Sequence, residues 1–374
     1  MVDYAFVPGF GIPELDLCRA VLALRPQTGV TPDPTATTVE TFVGALDFAI
    51  GVGIEPAANV IAGSHGTGEG ELYLLMDKAH RVPTVYETLE AVKVSGTIQV
   101  GTHLGASNPA FRLVGCLIGS DETLPFLRLM KQALQRVSAV SAPRFVHTYQ
   151  SAPDGSNAFE FMKYAHRITS KDPLKSRDLV LGKFGGADLH QDLDGSDVPI
   201  ENWDKWVPQG GLNLAPRPGS AQRIPFDFPV KISPAAGGNS TLFKDLGTWH
   251  AIADTHQFEV EVPGQVPKSE ADQIALVPLA LGQLPEFQDN HPYPVFKRHH
   301  FQTRQAFVNG FRWKPTVVSN NTVSFTGTRY RYELHVPVLK PGTDELIYNF
   351  YPVSGTPIIN FTESNQPYKL FGVV

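Results

Sequence analysis

Along the first 150 positions, apolar residues alternate between two arrangements. Short unbroken runs end abruptly in Gly, Ser or Pro. Tyr4–Val7 runs into Pro8-Gly9-Phe10-Gly11, Asn59–Gly63 into Ser64-His65-Gly66, and Phe111–Val114 into Gly115-Cys116. Runs of this length, bounded by turn residues, predict strands buried on both faces. Between them the apolar residues recur at helical spacing: Leu15, Leu17, Cys18, Val21 and Leu22 within Leu15–Leu24, and again over Val39–Ile50. Val85–Ala91 reads as a short helix. Leu124–Val137 reads as an amphipathic one, with Leu127, Met130, Leu134 and Val137 on one face. Residues 28–36 read as loop, and Ser138–Ala142 starts another strand. Strand and helix in alternation predict an α/β fold: a mainly parallel sheet with flanking helices on both faces.

The pattern changes after about Pro143. Phe159–Ile168 and Ser176–Lys183 are expected to be helices, and residues 184–222, rich in Gly, Pro, Asp and Asn, long loops. From Ile224 onward short alternating runs dominate: Phe258–Val262, Thr322–Phe325, Tyr330–Val336, Glu345–Tyr351 and Pro357–Phe361. Turn residues separate them, which predicts a β-rich, antiparallel C-terminal region. No internal repeat is present. The expected organisation is an α/β domain over 1–150, a helical and loop connection over 151–200, and a β-rich region over 201–374.

Composition narrows the setting. Of 374 residues, 42% are hydrophobic, enough for ordinary cores, and the length suits two domains. The net charge of −6 and the lack of a long basic run argue against a nucleic-acid partner. The most apolar stretch, Phe42 to Gly63, is interrupted by Asp47 and Glu55. A membrane helix needs about 20 predominantly apolar residues, so no membrane partner is expected. Residues 2–10 lack the basic and apolar regions of a leader. The N-x-S/T sequons at Asn239, Asn320 and Asn360 are therefore read as chance. With only Cys18 and Cys116, a disulfide scaffold is not expected. The expected compartment is a reducing cytoplasm, where Cys116 stays a free thiol.

The candidate chemistry follows from where the strands end. In an open parallel sheet, ligands bind outside the carboxyl ends of the strands. His65 follows one such strand, and Cys116 follows another 51 residues later. Neighbouring strands lie about 4.8 Å apart, so side chains just past two adjacent ends can meet. A thiolate, the reactive form of cysteine, needs a base or a positive charge beside it, and His65 would supply one. Gly63, Ser64, Gly66, Gly115 and Gly119 are small enough for tight turns and for backbone N–H groups to approach a reacting carbonyl. Taken singly, a strand-end cysteine is ordinarily a buried small hydrophobe and Ser-His-Gly ordinarily a turn. The pairing at matching strand ends is what points to chemistry.

Val60-Ile61-Ala62-Gly63-Ser64-His65-Gly66 and Phe111-Arg112-Leu113-Val114-Gly115-Cys116 resemble the two catalytic segments of the caspase-like (clan CD) cysteine peptidases. In that family a His-Gly follows one sheet strand, and the nucleophilic Cys follows the next strand roughly 50 residues later. The resemblance covers residues 1–150. It implies a caspase-like or flavodoxin-like α/β fold, a peptide or protein substrate, and no cofactor. It further implies His65 as base, Cys116 as nucleophile, and the N–H groups of Gly66 and Cys116 as oxyanion hole. Caspases place a glycine two residues after the cysteine, whereas here Leu117-Ile118 precedes Gly119. The resemblance therefore does not extend to the caspase subfamily or to aspartate specificity. Asp121 and Glu122 follow Cys116 closely, where a carboxylate at a cleft rim would favour a basic substrate side chain. A solvated helix N-terminus accounts for the same two acids.

A rival reading takes Ala62-Gly63-Ser64-His65-Gly66 as a variant nucleophile elbow, with Ser64 as the nucleophile of an α/β-hydrolase. Phe6-Val7-Pro8-Gly9-Phe10-Gly11 would then supply the oxyanion loop, and the triad histidine stays open among His147, His166, His250, His256 and others. A third reading is a non-catalytic binding protein on the same scaffold. Elsewhere, Asp192-Leu193-Asp194-Gly195-Ser196-Asp197 fails the calcium-loop spacing and reads as an acidic turn. His291, His299 and His300 have no nearby Cys or carboxylate pair to complete a metal site, so no metal is expected. His147 follows the strand after Cys116, where it could line the same cleft, but it reads first as a structural histidine. No P-loop or GxGxxG occurs.

Overall fold

The computed structural model describes residues 3–7, 13–25, 28–31, 59–66, 72–73, 108–134, 137–151, 157–174, 177–184, 203–209, 216–232, 245–291, 294–299, 301–352, 354–359, 361 and 369–374. The expected helices over Val39–Ile50 and Val85–Ala91, the acidic turn at 192–197 and His300 lie outside these residues.

In chain order the elements are β1 (Asp3–Phe6), α1 (Pro13–Leu24), β2 (Thr28–Thr31), β3 (Asn59–Gly63), β4 (His65–Gly66), β5 (Leu72–Tyr73) and β6 (Ala110–Val114). A 3₁₀ turn at Asp121–Thr123 leads into α2 (Leu124–Ala133), followed by β7 (Ala139–Pro143), β8 (Val146–Ser151) and β9 (Asn157–Ser170). Next come α3 (Arg177–Phe184), α4 (Trp203–Trp206), β10 (Ala221–Phe226) and β11 (Gly247–Glu261). Four short helices follow, α5 (Glu270–Ile274), α6 (Val277–Gln283), α7 (Val295–Arg298) and α8 (Arg304–Gly310). The chain closes with β12 (Arg312–Val317), β13 (Thr322–Pro337), β14 (Tyr348–Pro352) and β15 (Phe371–Val373).

Two compact units emerge, each assembled from separated segments. The first comprises Met1–Lys163, Pro229–Phe243 and Pro337–Val374. Its main sheet has the order β15-β7-β6-β3-β1-β2. All neighbours are parallel except β15, which pairs antiparallel with β7. The protein is thus α/β, with a mixed and predominantly parallel sheet. Numbered by occurrence along the chain, its five parallel strands read 2-1-3-4-5. That order reverses between the first and third strands, the place where sheets of this kind bind ligands at the carboxyl ends. α1 packs on the sheet through Leu15, Cys18 and Leu22, against Ala5, Val7 and Ile61. Its opposite side meets Ala158 and Tyr351 through Val21, with Leu17 and Tyr149 packed alongside.

Three expectations are corrected. Residues 28–31, read as loop, form the edge strand β2; a Thr-Gly-Val-Thr edge strand is polar enough to pass for a turn. Phe159–Ile168, read as helix, lies within strand β9. Nine consecutive residues of β9, Ala158 to His166, are buried, so both faces are covered and no period-2 signal survives. Pro357–Phe361, read as a strand, contributes only an isolated bridge between Ile358 and Phe350.

The second unit comprises Tyr164–Phe228 and Lys244–Val336. Here β11 runs antiparallel to β13 over 14 registered pairs, from Thr248↔His335 to Glu261↔Thr322. β10 flanks β11, and β12 pairs with β13. The β-rich character expected of the later chain is present. Phe287, Phe307, Phe311, Trp313 and Phe325 form the core beneath α5–α8, with Val277 and Leu281 from α6.

Candidate functional site

The first unit carries Ser64, His65, Cys116, Asp121 and Glu122. β3 and β6 are direct parallel neighbours, registered from Asn59↔Ala110 to Gly63↔Val114. The same 51-residue offset carries the two chains past their strand ends to His65 and Cys116. The backbone keeps them together beyond the ladder, because Ser64 N–H donates to Val114 C=O at 3.0 Å. A Cβ on Gly115 would stand 3.1 Å from the Ser64 carbonyl oxygen, and one on Gly66 would stand 3.2 Å from that of Cys116. Glycine at both places lets the two turns approach this closely without crowding. His65 sits on the short ladder β4–β5, opposite Tyr73, and is half-buried, as is Cys116. Ser64 is buried, 6% exposed, and its hydroxyl donates to the His65 carbonyl at 3.1 Å.

The turn after β6 is pinned to the segment joining β7 and β8. Gly119 N–H donates to Pro143 C=O at 2.8 Å and Leu117 N–H to Phe145 C=O at 3.0 Å. The Cys116 thiol donates to the next carbonyl in that alternating row, His147 C=O, at 3.5 Å. Leu117 pays for this path with a left-handed backbone, φ 62°. For a residue with a side chain that conformation costs roughly 1–2 kcal/mol.

Behind the turn lies a buried ionic network that the sequence reading did not find. Glu160 of β9 is 1% exposed. Cross-strand register sets Tyr149 of β8 on one side of it and Asn349 of β14 on the other. His147 and Tyr351, two residues further along those strands, share the same face. Glu160 accepts from His147 Nε2 at 2.8 Å, Asn349 Nδ2 at 2.9 Å, and the Tyr351 hydroxyl at 2.6 Å. Arg25, just past α1, closes the ring, its Nη2 reaching both carboxylate oxygens at 2.8 and 2.9 Å. Burial alone would raise the Glu160 pKa. The Arg25 charge and the hydrogen bonds from His147 and Tyr351 overcome it and hold the carboxyl well below its usual range. The ionised carboxylate can only accept, so His147 carries its proton on Nε2. His147 Nδ1 is buried with no hydrogen-bond partner among the described residues.

Cys18 belongs to the core and not to the turn. It is buried on α1, and burial pushes its thiol up to about 12, against the opposing hydrogen bond with Tyr149. Asp121 is exposed and paired with Arg144 at 2.9 Å. Glu122 is exposed beside it, in the same 3₁₀ turn. A shallow cavity of about 500 Å³, lined by Arg128, Lys131, Gln132, Val137, Val373 and Val374, opens at the opposite end of the sheet, where β7 begins. Among the described residues no cluster of His, Cys, Asp and Glu could hold a metal ion, and no helix is long and apolar enough to cross a membrane.

The signal for the network was present but weak. Glu160 stands inside Phe159–Tyr164, a run otherwise apolar except for Lys163. An acid in such a run has to be paired when it is buried, but beside His147, 13 positions upstream, its partners lie 135 positions upstream and 189 and 191 downstream. No protein-family model, no curated protein and no solved structure matches this chain.

Proposed function

We propose that this protein is a cysteine-peptidase-like hydrolase that cleaves amide bonds of a peptide or protein through a thioester on Cys116. The observation that carries the reading is the continuous register of β3 and β6, which runs past Gly63↔Val114 toward His65 and Cys116. The strand order supports a caspase-like α/β domain, with His65 after the third parallel strand and Cys116 after the fourth. The left-handed backbone at Leu117 supports a functional turn, since strain of this kind collects at active sites.

In this mechanism His65 takes the thiol proton and the Cys116 sulfur attacks the carbonyl carbon. The N–H groups of Gly66 and Cys116 receive the oxyanion. The proton passes from His65 to the leaving amine as the C–N bond breaks, and water then hydrolyses the thioester. Ser64 serves the turn. A hydroxyl buried against its neighbour's carbonyl is badly placed to be the nucleophile of the α/β-hydrolase reading. Asp121 and Glu122 belong to the rim, where Arg144 already offsets part of the acidic charge.

The test is a set of three substitutions assayed on a mixed peptide library, with cleavage followed by mass spectrometry. Cys116→Ala and His65→Ala abolish cleavage and Ser64→Ala leaves most of it. If Ser64→Ala alone is inactive, the nucleophile is the serine. If wild type and all three variants leave the library uncleaved and the thiol is inert, the chain is a binding protein.

A further inference from the structure

The Cys116 turn hangs on a row of three carbonyls. Pro143, Phe145 and His147 accept from Gly119 N–H, Leu117 N–H and the Cys116 thiol respectively. Arg144 and Phe145 bend the chain between β7 and β8, and the three carbonyls flank that bend. The first two members hold the backbone of the turn. The third holds the sulfur itself, and it belongs to a residue whose side chain is clamped. The His147 ring is 3% exposed, bonded to Glu160 at 2.8 Å and stacked on Tyr149 with centroids 4.9 Å apart. Glu160 is itself fixed by Arg25, Asn349 and Tyr351. A residue held at its ring has little freedom to move its carbonyl.

An S–H···O=C bond exists only while sulfur keeps its proton. The bond therefore favours the neutral thiol over the thiolate. When the thiol ionises the proton leaves for His65, the S–H···O bond is lost, and the sulfur is free to turn toward the substrate carbon.

We infer that His147 is a positioning residue for this site: its carbonyl docks the Cys116 thiol in the protonated resting state, and the Glu160 clamp on its ring keeps that carbonyl in place. The inference rests on the reading of Cys116 as nucleophile and His65 as base. It assigns to His147 no contact with substrate.

The experiment measures the rate of Cys116 alkylation by iodoacetamide against pH in the full-length chain, for wild type, His147→Phe, Tyr351→Phe and His65→Ala. His147→Phe keeps an aromatic ring on Tyr149 and loses the bond to Glu160, so the carbonyl is released. The midpoint of its profile moves down by roughly half a pH unit, the worth of one weak hydrogen bond. Tyr351→Phe loosens the far side of Glu160, leaves the His147 clamp, and keeps the wild-type midpoint although it lowers the melting temperature. A purely structural role would lower both melting temperatures and move neither midpoint; a folded His147→Phe protein with the wild-type midpoint overturns the inference.

His65→Ala reports separately on the dyad. If it leaves the midpoint alone while His147→Phe shifts it, the base assignment fails and the docking stands. If His65→Ala raises the midpoint and His147→Phe does not move it, the reverse holds. Should His147→Phe fail to fold, the infrared S–H stretch of the wild-type protein decides. The band that disappears in Cys116→Ser lies at the lowered frequency of a hydrogen-bonded thiol, and a band at the free-thiol position overturns the docking.

Discussion

Ser64 N–H donates to Val114 C=O at 3.0 Å, one step beyond the last registered pair of β3 and β6. Through that bond the two turns leave the sheet together. Parallel strands share their direction, so residues just past their carboxyl ends fall on the same edge of the sheet. Hairpin-linked antiparallel strands would have sent the two turns to opposite ends. The geometry thus follows from the strand order.

The two cysteines are expected to react in strict order. Cys116 is half-buried at the sheet edge, while Cys18 is buried under α1 with its thiol pushed up to about 12. At pH 7.5 iodoacetamide labels Cys116 alone, and Cys18 reacts only after unfolding, because the thiolate is the reactive form. Peptide mapping after timed labelling checks this. Equal labelling of both in the folded protein would contradict the burial of Cys18.

Gly119 and Gly372 make the Cys116 turn depend on β15. A Cβ on Gly119 would fall on the Ala142 carbonyl oxygen, and one on Gly372 would fall on the Gly119 carbonyl oxygen. Both obstacles are backbone and have no rotamer by which to yield. Gly119→Ala and Gly372→Ala should each destabilise by roughly 1–3 kcal/mol, the usual cost of overpacking. Gly182→Ala, where a Cβ meets nothing within 4 Å, is the control and should be neutral or slightly stabilising. Urea denaturation of the three variants provides the comparison.

The Asp121–Arg144 pair predicts an effect on substrate choice. At 2.9 Å, Arg144 offsets the charge that Asp121 would otherwise present to a basic substrate side chain. Arg144→Ala should raise cleavage of peptides with Lys or Arg before the scissile bond, relative to the same peptides with Glu, by about two- to fivefold. Exposed ion pairs are worth under about 1 kcal/mol, which sets that ceiling. An unchanged ratio would remove Asp121 from the cleft rim.

How far the sequence carries depends on how local each signal is. The strands ending at Gly63 and Val114 were legible because a short apolar run bounded by Gly or Ser has few other readings. Cys18 on the buried face of α1 was legible from helical spacing. β9 was not, because burial on both faces erases alternation and a charged residue then looks like the polar side of a helix. β2 was missed because its polar, glycine-containing sequence suits an edge strand and a loop equally. The Glu160 network was invisible for a different reason. Arg25, His147, Glu160, Asn349 and Tyr351 are brought together only by strand register, and register depends on partners distant in sequence.

That network also predicts how stability responds to acid. Glu160 has a folded pKa well below the ordinary value of 4.5, held there against burial by Arg25, His147 and Tyr351. A carboxylate with a depressed folded pKa adds stability that is fully present above the unfolded value. That stability is lost as pH falls through the folded one. Glu160→Gln removes the charge and leaves the half-buried Arg25 without its counterion, at a cost near pH 7 below the roughly 3–5 kcal/mol of a pair buried on both sides. The difference between wild type and variant should therefore be large at pH 7 and shrink steadily below about pH 4.5. Other carboxylates that titrate there, Glu333 among them, are common to both proteins and cancel in the difference. Replacing Arg25 by Met in the Glu160→Gln background should recover part of the loss, because no unpaired charge then remains. Denaturant melts of the three proteins at pH 7, 5, 4 and 3 measure all of this. A gap that stays constant from pH 7 to pH 3 would mean that Glu160 is not held ionised by the pairing described.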